Sequence, residues 1–266
     1  MPSPIPTRDQ IKRELLELSP YATYFDRVEL YEPFKQRVLT AEILDPDLFN
    51  SNDEMRLLTG LNRNWSLEGT TAAFAGCVLQ IAGGIIVTTS STANDQAIVV
   101  PARPLGTVPQ TLWREMNWAP EFAPRLETTV EFPGSGNVNF LFQIGFGLTS
   151  NLDGTTDMDK IVFQYNTASP VSGVNWTVVQ SIAGVDTETD TGIPVVFGES
   201  IRVKVGMNSL STPRFHVDGV LVFQAPAMRP TVQIKPMVGG QTLAAASKSF
   251  NVRYIRGCRR YESEIA

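Results

Sequence analysis

Three carboxylates at alternate positions, Asp186, Glu188 and Asp190, are the first residues of this sequence that could do chemistry. In an extended strand residues two apart share a face. Two carboxyl groups held at a fixed separation across a groove are what hydrolysis of a glycosidic bond requires. The residues between them are threonines, Gly184 and Gly192 flank the run, and no aromatic wall stands beside it. The segment Asp186–Thr191 is therefore expected to be an acidic loop, with a β-sandwich glycoside hydrolase as the minor alternative. A second group, Asn151, Asp153, Asp157 and Asp159, places hard oxygens within nine residues, and Gly154 permits a bend. Oxygens of that kind suit Ca2+. The glycine and the closing glutamate of an EF-hand are misplaced, so a solvated acidic turn is the plainer reading. Ca2+ is the one candidate cofactor.

Other constellations are weaker. His216 is the single histidine, and no Gly-x-Ser-x-Gly elbow accompanies it, so a serine hydrolase triad has no basis. One histidine and two distant cysteines do not make a zinc site. Cys77 and Cys258 are expected to be ordinary thiols. Gly145-Phe146-Gly147 lacks the third glycine and the helix of a dinucleotide fingerprint. It reads as a strand end where backbones approach closely. Trp113 and Trp118 flank a polar segment and are candidates for a carbohydrate platform. Trp176 falls in strand periodicity and is expected in the core. No catalytic residue is assigned.

The elements that must position these residues are strands. Leu126, Thr128, Val130 and Phe132 alternate with polar residues, and Phe140, Phe142, Ile144 and Phe146 do so again; period-two alternation marks half-buried strands. Asp218-Gly219, between strand formers, predicts a type I′ hairpin. Ten to thirteen such strands, with no intervening amphipathic helices, predict a sandwich. Residues 1–70 differ: Thr7 and Gln10 can cap a short helix carrying Ile11, Leu15, Leu16 and Leu18, and Pro20 ends it. Tyr24, Phe25, Tyr31 and Phe34 follow. The expected organisation is an N-terminal arm with a short helix over 1–70 and an all-β, jelly-roll domain over 71–266. Ile11, Leu15, Tyr24, Phe25, Tyr31 and Phe34 are the candidate contacts of a homo-oligomer, a trimer among the closed forms.

Charge narrows the partners. The formal net charge of -5 opposes a general nucleic-acid binder, which needs a positive field. Between Pro133 and Ser200 Lys160 is the only basic residue, against seven acidic ones, while Lys248, Arg253, Arg256, Arg259 and Arg260 make the end of the chain basic. Acidic and basic faces of this kind could meet in an assembly. The proline-rich start has no apolar leader core, and the apolar run near Cys77 is too short to span a bilayer. A chain made in the cytoplasm, with no membrane partner, is expected.

Arg125-Leu126-Glu127-Thr128, Phe142-Gln143-Ile144-Gly145-Phe146, Asp159-Lys160-Ile161-Val162-Phe163, Ile201–Val205, Phe215–Val220 and Ser249–Ile255 follow one another from about Leu126 to Arg260. In this order of strands and turns the chain resembles the concanavalin-like (legume-lectin-type) β-sandwich structural proteins of tailed bacteriophages. The metal-binding loops of the lectins and the Glu-x-Asp-x-x-Glu strand of the laminarinase-type hydrolases are not matched. What the resemblance implies is a non-enzymatic virion protein, a capsid decoration or stabilisation subunit contacting a major capsid protein. A lectin-like carbohydrate-binding module of a phage tail or surface is the alternative.

Overall fold

The computed structural model describes residues 38–42, 65–70, 77–79, 85–101, 118–133, 138–152 and 158–260. They form two antiparallel sheets packed face to face, a jelly-roll β-sandwich of concanavalin-like architecture. The strands are β1 (Val38–Glu42), β2 (Trp65–Glu68), β3 (Cys77–Leu79), β4 (Ile85–Thr88), β5 (Gln96–Pro101), β6 (Arg125–Glu131), β7 (Phe140–Gly147) and β8 (Asp159–Asn166). They continue with β9 (Asn175–Ile182), β10 (Val185–Pro194), β11 (Ser200–Met207), β12 (Pro213–Val217), β13 (Val220–Gln224), β14 (Lys235–Thr242) and β15 (Ser249–Arg260). One sheet runs β13-β12-β11-β6-β15-β4-β3, with β1 also on β15; the other runs β10-β9-β8-β7-β14-β5-β2. Trp65–Glu68, which the sequence places with the N-terminal segment, pairs with β5 in the second sheet. The expected helix and the candidate oligomer contacts Ile11, Leu15, Tyr24, Phe25, Tyr31 and Phe34 lie outside the described residues.

Alternation fixes which face of each strand is internal. Leu126, Thr128, Val130 and Phe132 are all fully buried, as are Phe140, Phe142, Ile144 and Phe146. Their rings meet across the two sheets. Phe163 of β8 stacks on Trp176 of β9 at 4.8 Å and lies 5.7 Å from Phe215 of the opposite sheet. Phe142 meets Phe250 edge-on at 5.2 Å. Each such pair adds roughly 1 kcal/mol to the burial of its rings. Trp176 is therefore core, as its periodicity predicts. So is Trp118, 1% exposed.

Turn chemistry sets the register. Asp218 and Gly219 have φ of 49° and 84°, the two positive values that a type I′ hairpin demands, and Val217 pairs with Val220. A second turn of the same kind, Ala183-Gly184 with φ of 53° and 81°, joins β9 to β10. This corrects the expected acidic loop: Asp186–Thr191 is strand, in unbroken register with β9 from Val185↔Ile182 to Asp190↔Thr177. Thr187, Thr189 and Thr191 are good strand formers, and Thr189 sits opposite Val178. The one-position turn signal, a lone Gly184, concealed the hairpin.

Register also separates the cysteines. Cys77 pairs with Val87, which pairs with Phe250, and Cys258 lies eight residues further along β15. At roughly 3.3 Å per residue the gap is about 26 Å, far beyond the roughly 7 Å limit for bridged Cα atoms.

Candidate functional site

On the second sheet the residues that alternate with the aromatic core point away from the other sheet. In β7 these are Leu141, Gln143 and Gly145; in β8, Lys160, Val162, Gln164 and Asn166; in β14, Gln241; in β5, Gln96. In β10 they are Asp186, Glu188 and Asp190, opposite Ser181, Val179 and Thr177. The segment Ser150–Leu152 folds over one end of this face. Leu152 covers an apolar cluster with Ile98, Val100, Leu141, Val162 and Met237. Gln96 fastens it, donating through Nε2 to Asn151 Oδ1 at 2.8 Å and accepting from the Leu152 N–H at 3.1 Å. Beneath it Lys160, 1% exposed, donates to the carbonyls of Asn151 and Leu152 at 3.3 and 3.4 Å.

What this leaves is a groove of about 560 Å³ across the sheet. Its floor is Gln143, Gln164, Gln241 and Leu141; Val179 and Leu243 add apolar surface, Asn94, Asn151 and Asn166 rim it, and Asp186 and Glu188 form the β10 side. A second hollow of about 530 Å³, by Glu68, Gly69 and Ser150, shares Gln96 and Asn151 with it.

A chain of amides fixes the polarity of the floor. Glu188 Oε1 accepts from Gln164 Nε2 at 3.1 Å, Ser169 Oγ at 2.8 Å and Thr177 Oγ1 at 2.9 Å. A carboxylate only accepts, so the Gln164 nitrogen must face it. The Gln164 oxygen then faces Gln143 and accepts from Gln143 Nε2 at 2.6 Å. That leaves Gln143 Oε1, on a residue 2% exposed, with no donor among the described residues. Gln241 Oε1, on a residue 6% exposed, also accepts from none of them. Buried acceptors without donors cost about 1–3 kcal/mol each and are rare enough to call for an explanation.

The other candidates separate. Asp159 and Lys160 are neighbours on β8 and point to opposite faces. Asp159 is fully buried on the inner side, where Arg229 grips both of its oxygens, Nε lying 2.9 Å from Oδ1. Asn151 belongs to the outer side. The two do not converge on an ion, and the partner of Asp159 is a guanidinium rather than a cation site. Asp153 and Asp157 lie outside the described residues, among which no metal-ligating cluster forms. Trp118 offers no ring face to a ligand because it is buried; Trp113 lies outside the described residues. His216 sits on the first sheet, opposite Lys204, remote in topology from the groove. Burial, with Lys204, Arg214 and Arg125 nearby, lowers its pKa from 6.5.

Gln143, Gln164 and Gln241 were not singled out by the sequence. Their signal was slight: each takes the outward position of a strand whose inward positions are aromatic or aliphatic, and such glutamines read as solvated.

No protein-family model matches the sequence, and no curated protein matches it. Solved structures do share the fold. A Shewanella oneidensis MR-1 protein of unknown function, SO2946, aligns with a TM-score of 0.59 at 12% identity, over 100% of this chain and 99% of that one. The potassium-bound carbohydrate recognition domain of Emp46p aligns at 0.53 and 11% identity, over 80% and 95%. A Bacillus licheniformis β-glucanase aligns at 0.51 and 12%, over 82% and 97%. Identities this low establish the fold alone. They correct the expected kinship: the likeness is to carbohydrate-recognition and glucanase-type sandwiches, not to phage virion proteins, and the capsid-decoration reading falls with it.

Proposed function

We propose that this domain is a carbohydrate-binding module whose ligand lies in the groove on the β10-β9-β8-β7-β14-β5-β2 sheet. The observation that carries the reading is Gln143 Oε1, a buried acceptor whose orientation is dictated by Glu188 through Gln164 and which no donor among the described residues reaches. A sugar hydroxyl supplies the donor this oxygen lacks, and reaches it once the side chains that cover it shift. The surroundings suit a sugar too: convergent amides for its hydroxyls and the edges of Leu141, Val179 and Leu243 for its C–H faces. Precisely placed polar groups on a partly apolar floor are the usual make-up of a ligand site. The likeness to an Emp46p carbohydrate recognition domain is in keeping with this use.

The reading is non-catalytic. A hydrolase needs one of its two carboxyls to deliver a proton to the leaving oxygen. Glu188 Oε1 is instead occupied by three protein donors.

A glycan array followed by calorimetry tests this. The protein is expected to bind at least one oligosaccharide class, and Gln143→Leu to weaken that binding about tenfold, the loss of roughly 1.4 kcal/mol. Its melting temperature is expected to change little, since the substitution removes one unpaired buried carbonyl but takes the donor from another, Gln164 Oε1. Absence of binding across neutral, amino and acidic glycans would sink the proposal. Release of reducing ends from a bound glucan would overturn the non-catalytic part.

A further inference from the structure

Given a carbohydrate ligand, on which this inference rests, the groove's chemistry narrows its class: we propose that it selects oligosaccharides bearing free amino groups and rejects uronic-acid and sulfated ones. The groups left to meet a ligand are acceptors. Gln143 Oε1 and Gln241 Oε1 take no donor from the described residues. Glu188 Oε2 receives none from the described residues, its three bonds all falling on Oε1. Asp186, exposed on the same face of β10 two residues away, has no partner among them either. None of the described side chains lining the groove is basic. The ammonium nearest in sequence, Lys160, is held under the Ser150–Leu152 segment by the carbonyls of Asn151 and Leu152.

A ligand entering this site must therefore be rich in donors and must not be anionic. A carboxylated sugar would meet two carboxylates and no compensating cation, and like charges in a groove shielded on one side are costly. Hydroxyls satisfy the two glutamine oxygens. An alkylammonium, with three donors and no acceptor, also satisfies the carboxylates, and charge-assisted bonds are about twice as strong as neutral ones. The amino group falls at the β10 side and the hydroxyl-bearing rings run across the floor toward β14.

Four oligosaccharides of equal length and linkage separate the outcomes by titration calorimetry: a β-1,4-glucosamine oligomer, its fully N-acetylated counterpart, the unsubstituted glucose oligomer and a uronic-acid oligomer. The glucosamine oligomer is expected to bind about tenfold or more tighter than the N-acetylated one, with an advantage that shrinks as salt rises and collapses in Asp186→Asn combined with Glu188→Gln. Melting curves check that these variants remain folded. Equal affinity for the amino and neutral oligomers overturns the selectivity while leaving carbohydrate binding intact. So does preference for the uronic-acid oligomer, or an amino preference that survives the double substitution. Failure of all four, with no other glycan bound, removes the parent reading as well.

Discussion

At the scale of the residue, two charged side chains show opposite consequences of burial. Asp159 is fully buried and its partner Arg229 reaches it from the segment between β13 and β14, half exposed. Deleting the guanidinium alone strands a buried charge, which is costlier than losing both partners. Arg229→Leu is expected to lower the melting temperature more than the double variant Asp159→Asn/Arg229→Leu does, and a double-mutant cycle measures the coupling. His216 is the reverse case. Its pKa is lowered by burial and by Lys204, Arg214 and Arg125, so the unfolded chain binds the proton more readily. Stability should then be insensitive to this group above pH 6.5 and fall as the pH drops below it. His216→Gln should flatten that fall in a pH series of thermal melts; an unchanged series would count against it.

At the scale of the element, glycines decide how strands can approach. A Cβ on Gly145, on the groove face of β7, would sit 2.2 Å from the Ile161 carbonyl oxygen and 2.8 Å from the Val162 Cα. Both are backbone atoms and cannot rotate away. Gly145→Ala is expected to destabilise by about 2–3 kcal/mol, read from denaturant melts, and to disturb the Gln143–Gln164 contact next to it. Gly240 plays the same part internally, where a Cβ would lie 2.7 Å from the Phe250 ring. These glycines bear on legibility. The strand Lys235–Thr242 contains Gly239-Gly240, and paired glycines suppress the local strand signal while their value lies in partners far along the chain. The alternation of β6 and β7 was plain, since it depends only on neighbours. β10 was not, because its strand character comes from pairing with β9. The groove was least legible of all: Gln143 and Gln164 are 21 residues apart, and nothing local distinguishes a glutamine that is roofed from one that is solvated.

At the scale of the molecule, the two outer faces differ in charge. That of the first sheet carries Arg125, Arg202, Lys204 and Arg214 around Glu127 and Glu131, with Arg202 bonded to Glu127 and Arg253 to Glu131. That of the second carries Asp186, Glu188 and Asp190. A cationic ligand is steered to one side, and association rates should fall with ionic strength. The same three acids have a consequence for colloidal behaviour. Among the described residues β10 is the rim of its sheet, and the free side of such a strand is a ready template for another copy. A second β10 docking there would bring its own carboxylates alongside these, and like charges placed across a ladder repel. The irregularity between Asp190 and Pro194 and the missing N–H of Pro194 shorten the template further. Neutralising the row in Asp186→Asn/Glu188→Gln/Asp190→Asn should therefore raise light scattering on storage with no change in circular dichroism. Negative charge kept at this margin would then act as a guard against fibrous stacking.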